Sequence, residues 1–456
     1  MKTKRAPYFI QIGFDFGTAY SKCIYRDVGV DRAFIYQPKT PYHHQQPFLL
    51  PVLLKYHENK VVEPKTAEGF HHANHLSLLK MALFHASSRN FDDITVQRCK
   101  EVLDCSTDQL LERIEAATAH YLAHRFSEII ETIKLQFQGF GDHIDDSLFL
   151  NLAIPVANAA AEDTTVVFQR VVNAAWMDRV NIIQCEGNLD KVSSRIDSVC
   201  KAREASEYCY LYPEVSANVQ AYVRSRTAKS GIYLFVDTGA GTVDESVFIF
   251  KNEGTLSLAY LSACVKPLGS SQIEIRALKG SNGIKDIEEF RRQKEAGQLK
   301  RIEIQNAIES ISADLVNPTW KVLGETYRKG INTQHIKEVR IIFTGGGHID
   351  RPYGSGVRSG ISEFFNQRDT GDGYIGGREY RPPFDPETIP AIGMPLPSDL
   401  EFPLRVNTKL WFKRLTVAYG LSFPRFDLAD YRLPHEIRDA VPLKRGKLVG
   451  NEYIEN

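Results

Sequence analysis

With 456 residues, 43% of them hydrophobic, the chain can bury a large core but is too long for one compact unit, so two or more domains are expected. Its 56 Lys and Arg residues balance 56 Asp and Glu, which leaves no net field to draw it to nucleic acid or to an anionic membrane. Seven scattered cysteines, none spaced C-x-x-C, argue against a disulfide framework or a zinc site and for a reducing compartment.

At the N-terminus, the apolar stretch behind Lys2, Lys4 and Arg5 is broken by Gln11 and Asp15 too early to form a signal-peptide core. No segment is long and apolar enough to span a bilayer, and a soluble cytoplasmic protein is expected. "YFIQIGFDFG" and "SKCIYRD" are two β-rich runs around a Gly-Thr turn, a hairpin by pattern. "FLLPVLLKYHENKVV" is extended. From Ser106, the residues Leu110, Ile114, Tyr121, Phe126, Ile129 and Ile133 recur at helical spacing behind a Ser106/Gln109 capping-box pair and predict a long helix.

"DSLFLNLAIP" is a buried strand that ends at Pro155, followed by a helical run through Phe168, Val171, Val172 and Trp176. After the polar connector "RSRTAKSG", the run "IYLFVDTGAGTVDESVFIF" repeats the opening layout of strand, glycine-rich turn and strand. The charged segment 284–320 is helical in pattern, and "VRIIFTGGG" is an apolar strand that runs into glycines. The tract 353–403, rich in Gly and Pro, reads as a long surface excursion.

Two stretches carry the chemistry: Asp15-Phe-Gly17-Thr18 and Asp237-Thr-Gly239-Ala-Gly241-Thr242-Val-Asp244. Each puts a carboxylate at a strand end and small residues in the turn. Glycines let backbone N–H groups approach a phosphate, threonine adds a hydroxyl donor, and an acid nearby can hold Mg²⁺ through water. One D-x-G-T alone is an ordinary hairpin turn; the pair in mirrored contexts is a much stronger signal. A third cluster, Thr344-Gly345-Gly346-Gly347, could lie flat against a ribose or an adenine.

These motifs, in this order, resemble the ATPase superfamily shared by actin, DnaK-type heat-shock chaperones and sugar kinases. "FDFGTAYSKCIY" resembles its first phosphate motif, "FVDTGAGTVDESVF" the second and "IIFTGGGHID" the adenosine motif. "YLYPEVSANVQAYV", preceded by "NLAIPVANAA", is similar to the first connecting helix, and "LTVAYGLSF" to the second, with Ala418 and Gly420 as close-packing residues. Tyr20 and Ser21 after Gly17-Thr18-Ala19, and the "AYG" of the second connection, favour the chaperone branch. Two departures stand out. Arg291 stands where the chaperone adenosine helix has an acid, and Tyr212-Pro213-Glu214 replaces Glu-Pro, so that Glu214 either reaches the site from the first helical turn or merely complements the helix dipole.

The resemblance implies an α/β, two-lobed actin-like fold, a duplicated ribonuclease-H-like domain with ATP or ADP and Mg²⁺ in the cleft. Lobe I would span 1–229, with core 1–48 and 145–229 and a subdomain at 49–144. Lobe II would span 230–414, with core 230–275 and 337–414 and a helical subdomain at 276–336; residues 415–456 would return to lobe I and end in a tail. Asp15, Asp237 and Asp244 would surround the metal and the attacking water, with Asp15 and Asp237 nearest Mg²⁺; Lys80 would align the nucleophile, and Glu214, if it reaches the site, would stand in as the catalytic carboxylate beside the Mg²⁺ waters. Gly17, Thr18, Ala19, Tyr20, Gly239, Ala240, Gly241, Thr242 and Gly269 would hold the phosphates, and Lys294, Gly345, Gly346, Gly347 and His348 the nucleoside. The expected function is a chaperone-like ATPase that controls a protein partner through the lobe angle, with no nucleic acid or membrane partner. An actin-like polymer is the alternative, and a small-molecule kinase would need a carboxylate base in the cleft. His71, His72 and His75 are not expected to bind metal, since no Cys or acid completes a set.

Overall fold

The structure, a computed structural model, describes residues 5–42, 45–64, 74–154, 162–202, 208–280, 301–331, 333–346, 352–369 and 385–439. Its strands are β1 (Phe9–Asp15), β2 (Tyr20–Asp27), β3 (Arg32–Ile35), β4 (Leu50–Pro51), β5 (Leu53–His57), β6 (Lys60–Val62), β7 (His75–Ser77) and β8 (Ser147–Ile154). They continue with β9 (Cys209–Pro213), β10 (Gly231–Thr238), β11 (Val243–Asn252), β12 (Leu256–Lys266), β13 (Arg340–Thr344), β14 (Ala391–Ile392), β15 (Leu400–Glu401) and β16 (Asp430–Arg432).

Both predicted hairpins form, and each seeds a sheet. The first sheet runs β15-β3-β2-β1-β8-β9, with β4 added to β2, and the second β14-β13-β10-β11-β12-β16. In each, three antiparallel strands (β1-β2-β3; β10-β11-β12) meet two parallel ones (β8-β9; β13-β14) on the far side of the first strand. The central strands β1 and β10 are paired on both edges and almost wholly buried, which is why both read as nearly continuous apolar runs. The chain is therefore α/β, with one strand order used twice.

The long predicted helix spans Thr107–Gln136 and covers the first sheet, with Phe126 against Phe14 (ring centroids 5.2 Å) and Tyr121 against Phe16 (6.0 Å). Its place is on the sheet core rather than in a separate subdomain. The expected capping box is absent: Ser106 makes no side-chain bond to the helix backbone and meets only the Gln109 side chain, at 3.2 Å. Strands β5, β6 and β7 form a small sheet of their own, and His75 on β7 is buried.

Three boundaries differ from expectation. Among the described residues of the tract at 353–403 the expected surface excursion is not found: a helix spans Pro352–Asp369 and buries Tyr353, Val357, Ile361, Phe364 and Phe365 in the core of the second sheet, and β14 joins that sheet. Its glycines form a packing seam. A Cβ on Gly356 would lie 2.5 Å from the Ser312 carbonyl oxygen, and one on Gly360 would lie 2.7 Å from that of Val316, so this helix meets the Arg301–Arg328 helix at backbone distance. Secondly, β15 pairs with β3, so residues 400–401 belong to the first sheet rather than to lobe II. Thirdly, beyond the last long helix β16 adds to the edge of β12, so residues 430–432 belong to the second sheet.

Residues 213–223 form two short helical segments, Glu214–Asn218 and Gln220–Val223, and the second connection is a helix over Thr408–Leu421. They cross where Gly420 has no side chain; a Cβ there would overlap the Ala217 carbonyl. Among the described residues no helix is long and apolar enough to cross a membrane.

Candidate functional site

The ends of β1, β10 and β13 open into one cavity of about 880 Å³, lined from both sheets. Asp15 closes β1, and the hairpin register sets Lys22 directly opposite, with Nζ 2.7 Å from Asp15 Oδ2. Asp237 closes the same stretch of β10, and there the register sets Asp244 opposite. Parallel pairing with β13 brings Thr344 beside Asp237 and carries the third turn into the cavity through Gly345 and Gly346.

The second hairpin turn is held from behind. The N–H groups of Gly269, Ser270 and Ser271, at the start of the Ser270–Gly280 helix, donate to the carbonyls of Gly241, Gly239 and Ala240 at 3.1, 3.0 and 2.9 Å. With these carbonyls turned toward the helix, Gly239, Ala240 and Thr242 line the cavity from the other side. Gly241 and Gly269 belong to this support and not to the lining. Gly345 has φ +88°, and a Cβ there would overlap Asp237 Oδ1, so glycine is required for the third turn to pass the acid.

Lys80, on the helix Leu79–Ser87, points into the cavity and donates to Glu214 Oε2 at 2.6 Å. The displaced acid of Tyr212-Pro213-Glu214 therefore reaches the cavity from the first turn of its helix. Tyr212 is turned away and buried, and its hydroxyl donates to the Ala429 carbonyl at 2.7 Å. One helical turn beyond Glu214, Asn218 donates to Asp237 Oδ2 at 3.0 Å and to Thr344 Oγ1 at 3.1 Å, tying the first connecting segment to the second sheet.

Burial, with the charges of Glu214 and Asp15, pushes the Asp237 carboxyl up to about 7. Burial, Glu214 and Asp237 push Asp244 well above its usual range. Burial opposes the Lys80 charge, but Glu214 and Asp15 outweigh it and raise the ammonium group above its ordinary value. The site thus holds more negative charge than its own lysines neutralise, and it responds by holding protons.

Among the described residues, no three His, Cys, Asp or Glu side chains form a set that could ligate a metal directly. Asp15 Oδ1, Asp237 Oδ1 and Asp244 Oδ1 are nonetheless buried without a hydrogen-bond donor. A hydrated divalent cation suits such a group, because its waters are donors and its charge offsets the acids.

Asp15, Lys80, Glu214, Asp237 and Asp244 all line the cavity, as do Gly17, Thr18, Ala19, Tyr20, Gly345 and Gly346. Lys294, Gly347, His348, Arg291, His71 and His72 lie outside the described residues. Several lining groups were not anticipated, four of which bear on the chemistry. Lys22 follows from hairpin register, and Asn218 from its place four residues after Glu214. Arg414 shares a helix face with Lys413, and His85 pairs through Nε2 with Asp93 Oδ2 at 3.3 Å. Neither a family model nor a curated protein matches the chain.

Proposed function

We propose that the chain is a two-lobed ATPase of the actin-like fold, nearest the heat-shock chaperone branch, which binds ATP with Mg²⁺ and uses lobe closure to control a partner protein. One observation carries this reading: two Asp-Gly-Thr hairpin turns and a third glycine turn converge on one cavity, from two sheets with the same strand order.

Gly17, Thr18 and Ala19 hold the phosphates from one side, and Gly239, Ala240 and Thr242 from the other. Asp15 and Asp237 would hold Mg²⁺ through water, and the ion would supply neutralisation of the phosphate charge. Asn218 fixes the orientation of Asp237, and Glu214 holds Lys80 where its ammonium group aligns the attacking water. Such a site needs little covalent chemistry, because phosphoryl transfer proceeds by positioning and charge stabilisation. A terminal phosphate touched by both hairpins keeps the lobes closed, and its loss frees them to turn about the crossing at Gly420.

The test is phosphate release from Mg·ATP by the wild type and by Asp237→Asn, with and without cellular extract. Slow release that extract stimulates and Asp237→Asn abolishes is expected; no release under any of these conditions counts against the reading.

A further inference from the structure

We infer that Arg414 is a phosphate ligand seated on Gly346, through which the second connecting helix senses the bound nucleotide. The inference rests on the nucleotide-binding reading above and adds a cation that none of the three glycine motifs contains.

The helix Thr408–Leu421 turns Leu410, Lys413, Arg414 and Val417, one face at i, i+3, i+4 and i+7, to the cavity. Its other faces are fixed: Trp411, Phe412 and Leu415 are buried, with Trp411 packed on Phe48 at 4.6 Å between ring centroids. The helix cannot rotate Arg414 out of the cavity without exposing this core.

Arg414 also has a built seat. A Cβ on Gly346 would stand 3.2 Å from Arg414 Nε and 3.4 Å from its Cγ and Cζ, so stem and guanidinium lie flat across the glycine. The third turn therefore passes Asp237 at Gly345 and Arg414 at Gly346, one Cα step of about 3.8 Å further on. A polyphosphate along this turn meets the acid and its cation first and the guanidinium next. The fork of N–H donors matches two oxygens of one phosphate, which places Arg414 on a phosphate nearer the ribose than the transferred one. From there the signal path is short, since the same helix crosses the first connection at Gly420 and Ala217.

The test measures displacement of a fluorescent ATP analogue by ATP and by inorganic tripolyphosphate, in the wild type, Arg414→Ala, Arg414→Lys and Gly346→Ala. A melting curve without nucleotide checks each fold. Arg414→Ala is expected to weaken ATP and tripolyphosphate alike, by about 10- to 100-fold, with part of the loss recovered in Arg414→Lys. Gly346→Ala should weaken both by unseating the guanidinium, and it carries the test if Arg414→Ala does not fold. Unchanged binding in the folded variants overturns the inference, as does a loss confined to ATP, which would make Arg414 a nucleoside contact. A wild type that binds neither ligand overturns the nucleotide reading itself.

Discussion

The two hairpins that face each other across the cavity share a topology and differ in their cross-strand charge. In the first, Asp15 is opposite Lys22 and bonded to it, so the pair neutralises itself. In the second, Asp237 is opposite Asp244, acid against acid, both half-buried and both shifted toward the protonated form. Like charges directly opposite in an antiparallel pair destabilise it. The difference separates a permanent internal ion pair, which fixes the first turn, from a charge excess that a ligand cation would satisfy. The first hairpin presents an acid paired with a lysine through one oxygen, and the second presents two acids opposite each other.

The largest expected effect breaks the contrast at its acidic side. Asp237→Asn should lower ATP turnover by about two to three orders of magnitude and raise the melting temperature of the nucleotide-free protein at pH 8, because it removes a carboxylate whose ionised form the fold disfavours. Phosphate release and a thermal melt on the same sample check both; a variant that is inactive and also less stable contradicts the account.

Next in size, Asp15→Asn and Asp244→Asn should move stability in opposite directions. Asp15→Asn leaves the largely buried Lys22 ammonium without its carboxylate and should cost about 1 to 3 kcal/mol, whereas Asp244→Asn should stabilise. Denaturant unfolding of both variants, side by side, reads the sign of each.

The third concerns pH. Asp237 titrates near 7 in the folded chain, and burial raises Glu245, whose Oε1 accepts from Thr319, to about 8. Both values exceed those of an unfolded chain, so the folded state binds more protons over this range. The contribution of these two groups to stability is therefore full below pH 4 and is lost as pH rises from about 4 to 8. Melting temperatures of the nucleotide-free protein should fall across that window and fall less in Asp237→Asn.

The smallest expected effect concerns the displaced acid. Tyr212→Phe should cost about 1 kcal/mol through the lost bond to Ala429 and leave turnover unchanged, while Glu214→Gln should lower turnover. Equal losses of turnover in both would return Tyr212 to the site.

Much of this site was legible because its chemistry is local in sequence. A hairpin turn brings its own acid, glycines and threonine, so Asp15 and Asp237 could be named from two short stretches. Glu214 needed helix geometry, because whether it faced the cavity depended on where the strand ended and the helix began. Lys22 was missed although the hairpin arithmetic that pairs Ile10 with Asp27 also pairs Asp15 with Lys22. Arg414 had no local signal, since it meets the third turn only after the chain has passed through a further helix and two edge strands. The glycines of 353–403 misled for a physical reason: glycine in a chain reads as a turn, yet Gly356 and Gly360 sit within a helix where small residues admit a neighbouring backbone. The pairing of β16 with β12 was not foreseen, because edge pairing of a three-residue strand leaves little trace in sequence.

The most direct test of the central claim is calorimetric titration of ATP into the wild-type protein at pH 8, once with excess Mg²⁺ and once with a chelator. The account predicts saturable binding to one site in Mg²⁺ and binding at least ten-fold weaker without it, because only a cation offsets the opposed acids of the second hairpin. Equal affinity in both conditions, or no binding in either, would contradict it.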